Sequence, residues 1–378
     1  MNGAMSGDMS RAEDGVAGVH TLQVTDDAAG GRMLRFEAFD TEVALHAYPG
    51  DVCPRDACPG DEANAAPTGA RAACDPRQLD DALLACAERC VYFERHLSRT
   101  RPDSDIARAH AAAPRPVAVQ PETAELVHLA AGYCARSGGR FDVTMGGVTG
   151  LWDFKRRRVP SRLELARACA HVGMDHVHVD GWPAPAVARP TLAIDDPDCV
   201  LDLGGIAKGY IADDLACLCR RHGVSRFALN LGGNVLVGGG KPETPMRTTG
   251  ASVGVPAPWR IGIVDPHDPR RTCAVVELVD GTVVTSGLHE RRFTRGGRIY
   301  HHILDPRDGM PVRTDAASVS IVAARSLDGD GYSTAALMMG APGALAFVES
   351  LPGVEAVVVD SAGAVRWTTG LAGRVSRA

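Results

Sequence analysis

Lysine is nearly absent from this chain: of 40 basic residues only Lys155, Lys208 and Lys241 are lysine. Aromatic residues make up only 5% of it. There is no positive excess either. A formal net charge of −6 excludes a nucleic-acid surface and a generally basic membrane-binding face. No apolar run approaches the ~20 residues of a spanning helix. The N-terminus lacks a basic region followed by an apolar stretch, and this predicts a cytoplasmic protein. The eleven cysteines are scattered. Cys86, Cys90, Cys169, Cys217 and Cys219 fall in helical patterns, where buried free thiols are the default. Cys53, Cys58 and Cys74 have no matching second half of a zinc site.

What is present suits a soluble globular protein. The 378 residues, 45% hydrophobic and 23% charged, suffice for one large domain or two medium ones. Residues 1–31 read as a disordered, small and polar segment. Met33 to His46 reads as a first strand, and 49–77 as a flexible insertion rich in Pro, Ala, Gly and Asp. A helix follows, with Leu79, Leu83, Cys86, Cys90, Phe93 and Leu97 along one face. Glu122 to Ser137 is a second helix, stopped by Gly138-Gly139. Ser161 and Glu164 form a capping-box pattern, and Lys155 to Arg158 read as a solvated basic face. Short strands are expected at Val177–Val179 and Leu192–Ile194. Beyond residue 258 strands dominate, until a helix from Ala335 to Leu351 that breaks near Pro342. Strands and helices mix without strict βαβ alternation, so the fold class is α+β.

The chain is organised around LDLGGIAKGYIADDLACLCRRHGVSRFALNLGGNVLVGGG, residues 201–240. Asp202 closes an extended run, Gly204-Gly205 turn the chain, and Ile206 to Arg221 continue as a helix that Gly223 stops. A second strand, Phe227 to Leu231, ends in Gly232-Gly233-Asn234. A glycine turn opening a helix offers free N–H groups and a positive dipole end, which suit a phosphate. Lys208 adds a point charge there, in a chain that otherwise avoids lysine. The spacing matches neither a P-loop nor a dinucleotide fingerprint. Taken alone it is as compatible with a packing turn.

Three further stretches carry chemistry. Val284-Thr285-Ser286-Gly287 runs a strand into a hydroxyl-rich turn. Tyr300-His301-His302-Ile303-Leu304-Asp305 places two histidines and an aspartate at a strand end. Adjacent histidines point to opposite strand faces, so at least one is structural and the pair makes a poor chelate with Asp305. In Asp328-Gly329-Asp330-Gly331-Tyr332-Ser333-Thr334, Asp330 and Thr334 share a helix face. Two oxygen donors suit magnesium or calcium, while helix capping by Asp330 accounts for the aspartate equally well.

The series GGRFDVT…LWDF, LDLGGIAKGYIADD, LNLGGNV, VVTSG, YHHILDPRDGMPV and DGDGYSTAALMMG, in this order, resembles the FAD:protein FMN transferase (ApbE-type) family. The resemblance covers roughly residues 33–372 and is strongest from 138 onward. It implies a single-domain α+β architecture related to the T-fold, and FAD as substrate. It also implies magnesium, and a partner protein that accepts FMN on a Thr or Ser hydroxyl while AMP leaves. Asp142, with Arg140 and Phe141 beside it, matches the family's flavin-binding loop. Asp202 and Lys208 match positions that hold FAD, and His302 matches the histidine next to the reacting phosphates. Gly205 matches a magnesium-ligating carbonyl, Asp330 and Thr334 the side-chain ligands. Four departures stand out: Phe39-Asp40-Thr41 for the family's Met-Gly-Thr, Thr100 for an aromatic, His110 for Asn, and Asp308 for Thr. They fall mostly around the flavin ring, where Phe39 is expected to stack in place of the Met. Two other readings share these residues: a FAD pyrophosphatase that uses water as acceptor, and a non-catalytic flavin carrier. A carrier needs no metal at the pyrophosphate, so retention of His302, Lys208, Asp330 and Thr334 together favours transfer.

Overall fold

Seventeen strands and eight α-helices are described in the computed structural model, which covers residues 22–50, 75–183, 189–241 and 257–378. The strands are β1 (Thr25–Asp26), β2 (Arg32–Ala38), β3 (Thr41–Tyr48), β4 (Val117–Ala118), β5 (Val177–Asp180), β6 (Thr191–Ile194), β7 (Arg226–Leu231), β8 (Asn234–Gly238) and β9 (Trp259–Val264). They continue with β10 (Thr272–Leu278), β11 (Gly281–Gly287), β12 (Arg292–Arg295), β13 (Arg298–His301), β14 (Ala316–Ala323), β15 (Val354–Asp360), β16 (Val365–Trp367) and β17 (Val375–Arg377). The helices are α1 (Pro76–Leu97), α2 (Asp105–Ala112), α3 (Pro121–Arg136), α4 (Gly146–Thr149), α5 (Arg162–Cys169), α6 (Ala207–Arg221), α7 (Ser326–Met338) and α8 (Gly340–Glu349). Nine strands form one sheet in the order β1-β2-β3-β7-β8-β11-β14-β15-β16. Every neighbouring pair in it is antiparallel.

Alternation along the strands decides which layer each side chain enters. On β14, Val319 and Ile321 join the large core built with α1, α3, α6 and α7, while Val322 joins a second core on the other face. That second core is closed by the small sheet β17-β10-β9 through Ile263, Ala274 and Val276. With both faces covered, all eight residues of β14 are buried, which explains its near-continuous apolar run. The α+β class expected from the sequence is the observed one.

Several boundaries differ from the sequence reading. The first strand is in fact a hairpin, β2–β3, turning at Phe39 and Asp40 with φ of 55° and 57°. Positive φ at both central residues is the two-residue turn whose twist matches its strands. The ordered fold also starts before residue 32: β1 pairs with β2, and Asp27 is held by His46 and Tyr48. The expectation for 1–21, like that for 51–74 of the insertion, falls outside the described residues, while Pro76 and Arg77 already belong to α1, capped by Asp75. The helical run expected from Ala335 begins at Ser326 as α7, because the glycines that disguise its start are packing contacts. It breaks at Met339–Gly340, where Gly340 takes a φ of 77°, rather than at Pro342, which lies in the first turn of α8. A Cβ on Gly329 would lie 2.4 Å from Val284, and one on Gly331 2.4 Å from the Tyr133 ring. The capping box at Ser161 and Glu164 is present, and Lys155 to Arg158 are exposed. Cys86, Cys90 and Cys219 are buried free thiols, whereas Cys169 and Cys217 are only partly covered.

The tight contact between α6 and α7 bears on the site. A Cβ on Gly209 of α6 would stand 2.4 Å from the Ser326 carbonyl oxygen and 2.8 Å from the Leu327 Cα at the start of α7. Both obstacles are backbone, so neither swings away. Gly209→Ala is expected to cost about 1–3 kcal/mol, seen as a lower urea midpoint at an unchanged m-value. An unaltered midpoint would mean the two helices separate freely.

Candidate active site

The ten residues singled out in the sequence (Phe39, Arg140, Phe141, Asp142, Asp202, Gly205, Lys208, His302, Asp330 and Thr334) all line one cleft of about 1340 Å³. Its size exceeds the ~300–1,000 Å³ usual for drug-sized ligands. The β2–β3 turn brings Phe39, the loop after α3 brings residues 140–142, and the start of α6 brings Lys208. Asp330 and Thr334 come from α7, and His302 follows β13.

Helices α6 and α7 are tied together by reciprocal carboxylates. Asp213 of α6 accepts from Ser326 N at 2.7 Å and Leu327 N at 3.0 Å, capping α7. Burial pushes the Asp213 carboxyl up to about 6. In return, Asp330 Oδ2 accepts from Gly209 N at 2.6 Å, in the first turn of α6. No side chain of Ile206 caps α6 itself, so Asp330 satisfies an N–H that the helix start leaves free. Asp330 therefore does not cap its own helix, as one of the two readings had it; it lies in the interior of α7 and serves another helix. Burial pushes its carboxyl above the usual range, against the opposing pull of Lys208 and the Gly209 N–H. Thr334 Oγ1 lies 3.1 Å from Ser286 Oγ, which also meets Ser333 Oγ at 2.9 Å.

Around the glycine turn, Asp202 Oδ1 accepts from Gly204 N at 3.0 Å, and the Lys208 ammonium donates to the Gly204 carbonyl at 3.4 Å. Phe141 is buried, with its ring 3.4 Å from where a Gly205 Cβ would be. Asp142 Oδ1 is engaged locally, accepting from Thr144 N at 2.8 Å and its hydroxyl at 2.6 Å.

The two histidines part as adjacent strand residues must. His301 turns inward and is 7% exposed; His302 faces the cleft, its Nε2 3.8 Å from Glu290 Oε2. Burial, with help from Arg291, lowers the His302 imidazole to about 4. It is thus neutral throughout the physiological range. Asp305 is occupied by Arg307, which donates from its backbone N and guanidinium and holds the carboxyl low.

The departures have local explanations. Asp40 tolerates its positive φ because a short carboxylate side chain accommodates the left-handed region. His110 Nε2 accepts from Leu201 N at 2.7 Å, a bond that requires its neutral form, and burial keeps its pKa low. Asp308 Oδ1 accepts from Met310 N at 2.9 Å. Arg99 was not assigned a role from the sequence. It lies 3.4 Å from Asp202, donates to the Gly146 carbonyl at 3.1 Å and lines the cleft. Glu290, Arg291, Asn234 and Ser286 line it too. Ser286 and Asn234 sit within stretches that had been singled out; nothing in the pattern of Glu290 and Arg291 pointed to them.

A family model described as the ApbE family matches residues 65–358. A protein named FAD:protein FMN transferase from Treponema pallidum (strain Nichols) is 36% identical over 284 residues, spanning 74% of this chain and 77% of that one. One of the same name from Klebsiella pneumoniae (strain 342) is 30% identical over 253 residues, spanning 65% and 68%. Among solved structures, the ApbE protein from Thermotoga maritima superposes with a TM-score of 0.72 at 26% identity, covering 91% of this chain and 99% of that one. The apo form of the Pseudomonas stutzeri flavinyl transferase ApbE gives 0.70 at 25% identity, covering 93% and 97%.

Proposed function

The chain belongs to the ApbE family, and from that premise we propose that it moves the FMN moiety of FAD onto a Thr or Ser hydroxyl of an acceptor protein, with magnesium bound and AMP released. The observation that carries this reading is the convergence of residues from six separate stretches on one cleft.

The donor set fits a hard divalent cation. The Gly205 carbonyl, the Asp330 carboxylate and the Thr334 hydroxyl are all oxygens. Asp330 is a buried carboxyl displaced toward its neutral form, a displacement that a neighbouring cation reverses. These three residues would hold magnesium, which when bound supplies Lewis-acid stabilisation of charge on the pyrophosphate bridging oxygen.

The chain's own groups do the rest. Lys208 and the N–H groups opening α6 place fixed positive potential against the phosphates. Asp202 and Arg99 hold the wall of the glycine turn. His302, neutral, takes the proton of the acceptor hydroxyl as its oxygen bonds to the phosphorus of the FMN half. The bond from that phosphorus to the bridging oxygen breaks, and AMP leaves with the electron pair. Phe39, Phe141 and the segment around Thr100 are left to meet the ring.

Purified protein incubated with FAD, magnesium and a candidate acceptor should yield flavin fluorescence on the denatured acceptor and an equal amount of AMP. Free FMN and AMP, whatever the acceptor, would assign hydrolysis instead, and absence of both products would remove the enzymatic reading. Calorimetry should also show FAD binding more tightly than FMN, since the phosphate-facing groups match the family while the ring-facing ones have changed. Equal affinities would contradict that division.

A further inference from the structure

A chain of alternating imidazoles and carboxylates lies on the small sheet β4-β6-β5, apart from the cleft. Asp195 bridges His178 Nε2 at 3.0 Å and His176 Nδ1 at 2.9 Å. His176 Nε2 is 3.9 Å from Asp196 Oδ2, which His171 Nδ1 meets at 2.7 Å; His171 Nε2 is in turn 3.9 Å from Asp198 Oδ2. Ligand atoms of His171, Asp196 and Asp198 all lie within 4.8 Å of one another.

The backbone assembles this group. His178 lies on β5 and His176 ends the short turn just before it, and both side chains reach Asp195. Asp195 directly follows β6, and its N–H donates to the His176 carbonyl at 3.0 Å. His171 sits just past α5.

We propose that His171, Asp196 and Asp198 bind a zinc-class divalent cation, with water completing the coordination. Ligands of a tetrahedral site with bonds of ~2.0–2.1 Å stand roughly 3.3 Å apart, and the candidate atoms of these three side chains lie within 4.8 Å of one another, so side-chain movement closes the site. Mixed imidazole and carboxylate donors select zinc, cobalt or nickel over magnesium, in contrast to the all-oxygen set in the cleft. Asp195, which meets His176 Nδ1 and His178 Nε2, ties the start of β5 to the segment that carries Asp196 and Asp198. The side chains of His171 and Asp198 are 35% and 74% exposed, so a cation reaches them from solvent.

The cation clamps the turn after α5 to the segment that leads into the cleft. Four residues beyond Asp198, Asp202 N donates to Val143 O at 2.7 Å, and between them Val200 O accepts from Gly146 N at 2.9 Å. The clamp therefore braces the Gly204-Gly205 turn from behind.

The test uses the full chain, stripped of metal, reduced, and held in millimolar magnesium. Zinc is titrated against a chromophoric chelator. One equivalent should bind and raise the melting temperature. His171→Ala and Asp198→Asn should each weaken zinc binding by about 10- to 100-fold, while Asp330→Ala leaves it unchanged. Cobalt in place of zinc should give weak visible bands without thiolate charge transfer. Asp198 is exposed, so its variant is expected to fold. The proposal is overturned if no stoichiometric zinc binds, or if Asp198→Asn and His171→Ala bind it like wild type. It is equally overturned if Asp330→Ala abolishes binding, or if the cobalt spectrum carries a strong thiolate band, which would reassign the cation to the cleft or to cysteines.

Discussion

Replacing Asp330 with alanine is expected to lower transfer by about a thousandfold at physiological magnesium, with partial recovery at a large excess. Lewis-acid stabilisation of phosphoryl charge is worth several kcal/mol, and each ~1.4 kcal/mol is a factor of ten in rate. Asp330 supplies the only side-chain charge among the three ligands, so a carbonyl and a hydroxyl alone would hold the cation poorly. The structure adds a second role that must be separated from the first. Asp330 Oδ2 accepts from Gly209 N inside a buried helix contact, and losing that acceptor costs about 1–3 kcal/mol. Asp330→Asn separates the two: its amide oxygen still accepts from Gly209, while its charge is gone. The asparagine variant should melt close to wild type yet need far more magnesium for half-maximal transfer. Should both variants keep the wild-type magnesium midpoint and full activity per folded molecule, Asp330 is a helix tie and no more.

That dual role marks where the sequence was legible and where it was not. Oxygen donors at Asp330 and Thr334 could be read from four-residue spacing, and the phosphate-facing turn from Gly204-Gly205 and an isolated lysine. Each was legible because it lies on a short, local element whose pattern survives without tertiary context, and the fold then brings them to one cleft. The link from Asp330 to α6 spans 121 residues and is invisible to any local pattern. So is Arg99 with Asp202, a pairing across about a hundred positions in a chain rich in arginine. The start of α7 was hidden for a different reason. Gly329 and Gly331 lower helix propensity, yet tertiary packing against Val284 and Tyr133 demands them. Phe39-Asp40 misled in the opposite sense. Without glycine, nothing announced a tight turn, so two strands were read as one.

His302→Ala should slow transfer by about 10²–10⁴-fold, the usual contribution of a general acid–base group, while FAD affinity stays near wild type. Its pH behaviour makes the assignment specific. Burial lowers the imidazole from 6.5 to about 4, so the proton-accepting form persists well into the acid range. Transfer limited by His302 should hold level from neutrality down to about pH 5 and fall as the ring protonates near 4. An ordinary histidine would put that fall near 6.5. Stability moves with the same sign. The unfolded chain binds the proton below 6.5 and the folded one only near 4, so the residue costs nothing above 6.5. As pH drops from 6.5 to about 4 stability is lost, by an amount on the order of 3 kcal/mol when complete. In His302→Ala both signatures should vanish together: the residual rate loses its limb near pH 4, and acid unfolding shifts to lower pH. If the variant instead keeps full activity and the same limb, the acceptor proton goes elsewhere. Arg307 occupies the carboxylate of Asp305 in the same stretch, which leaves Glu290, 3.8 Å from the imidazole, as the group to replace next.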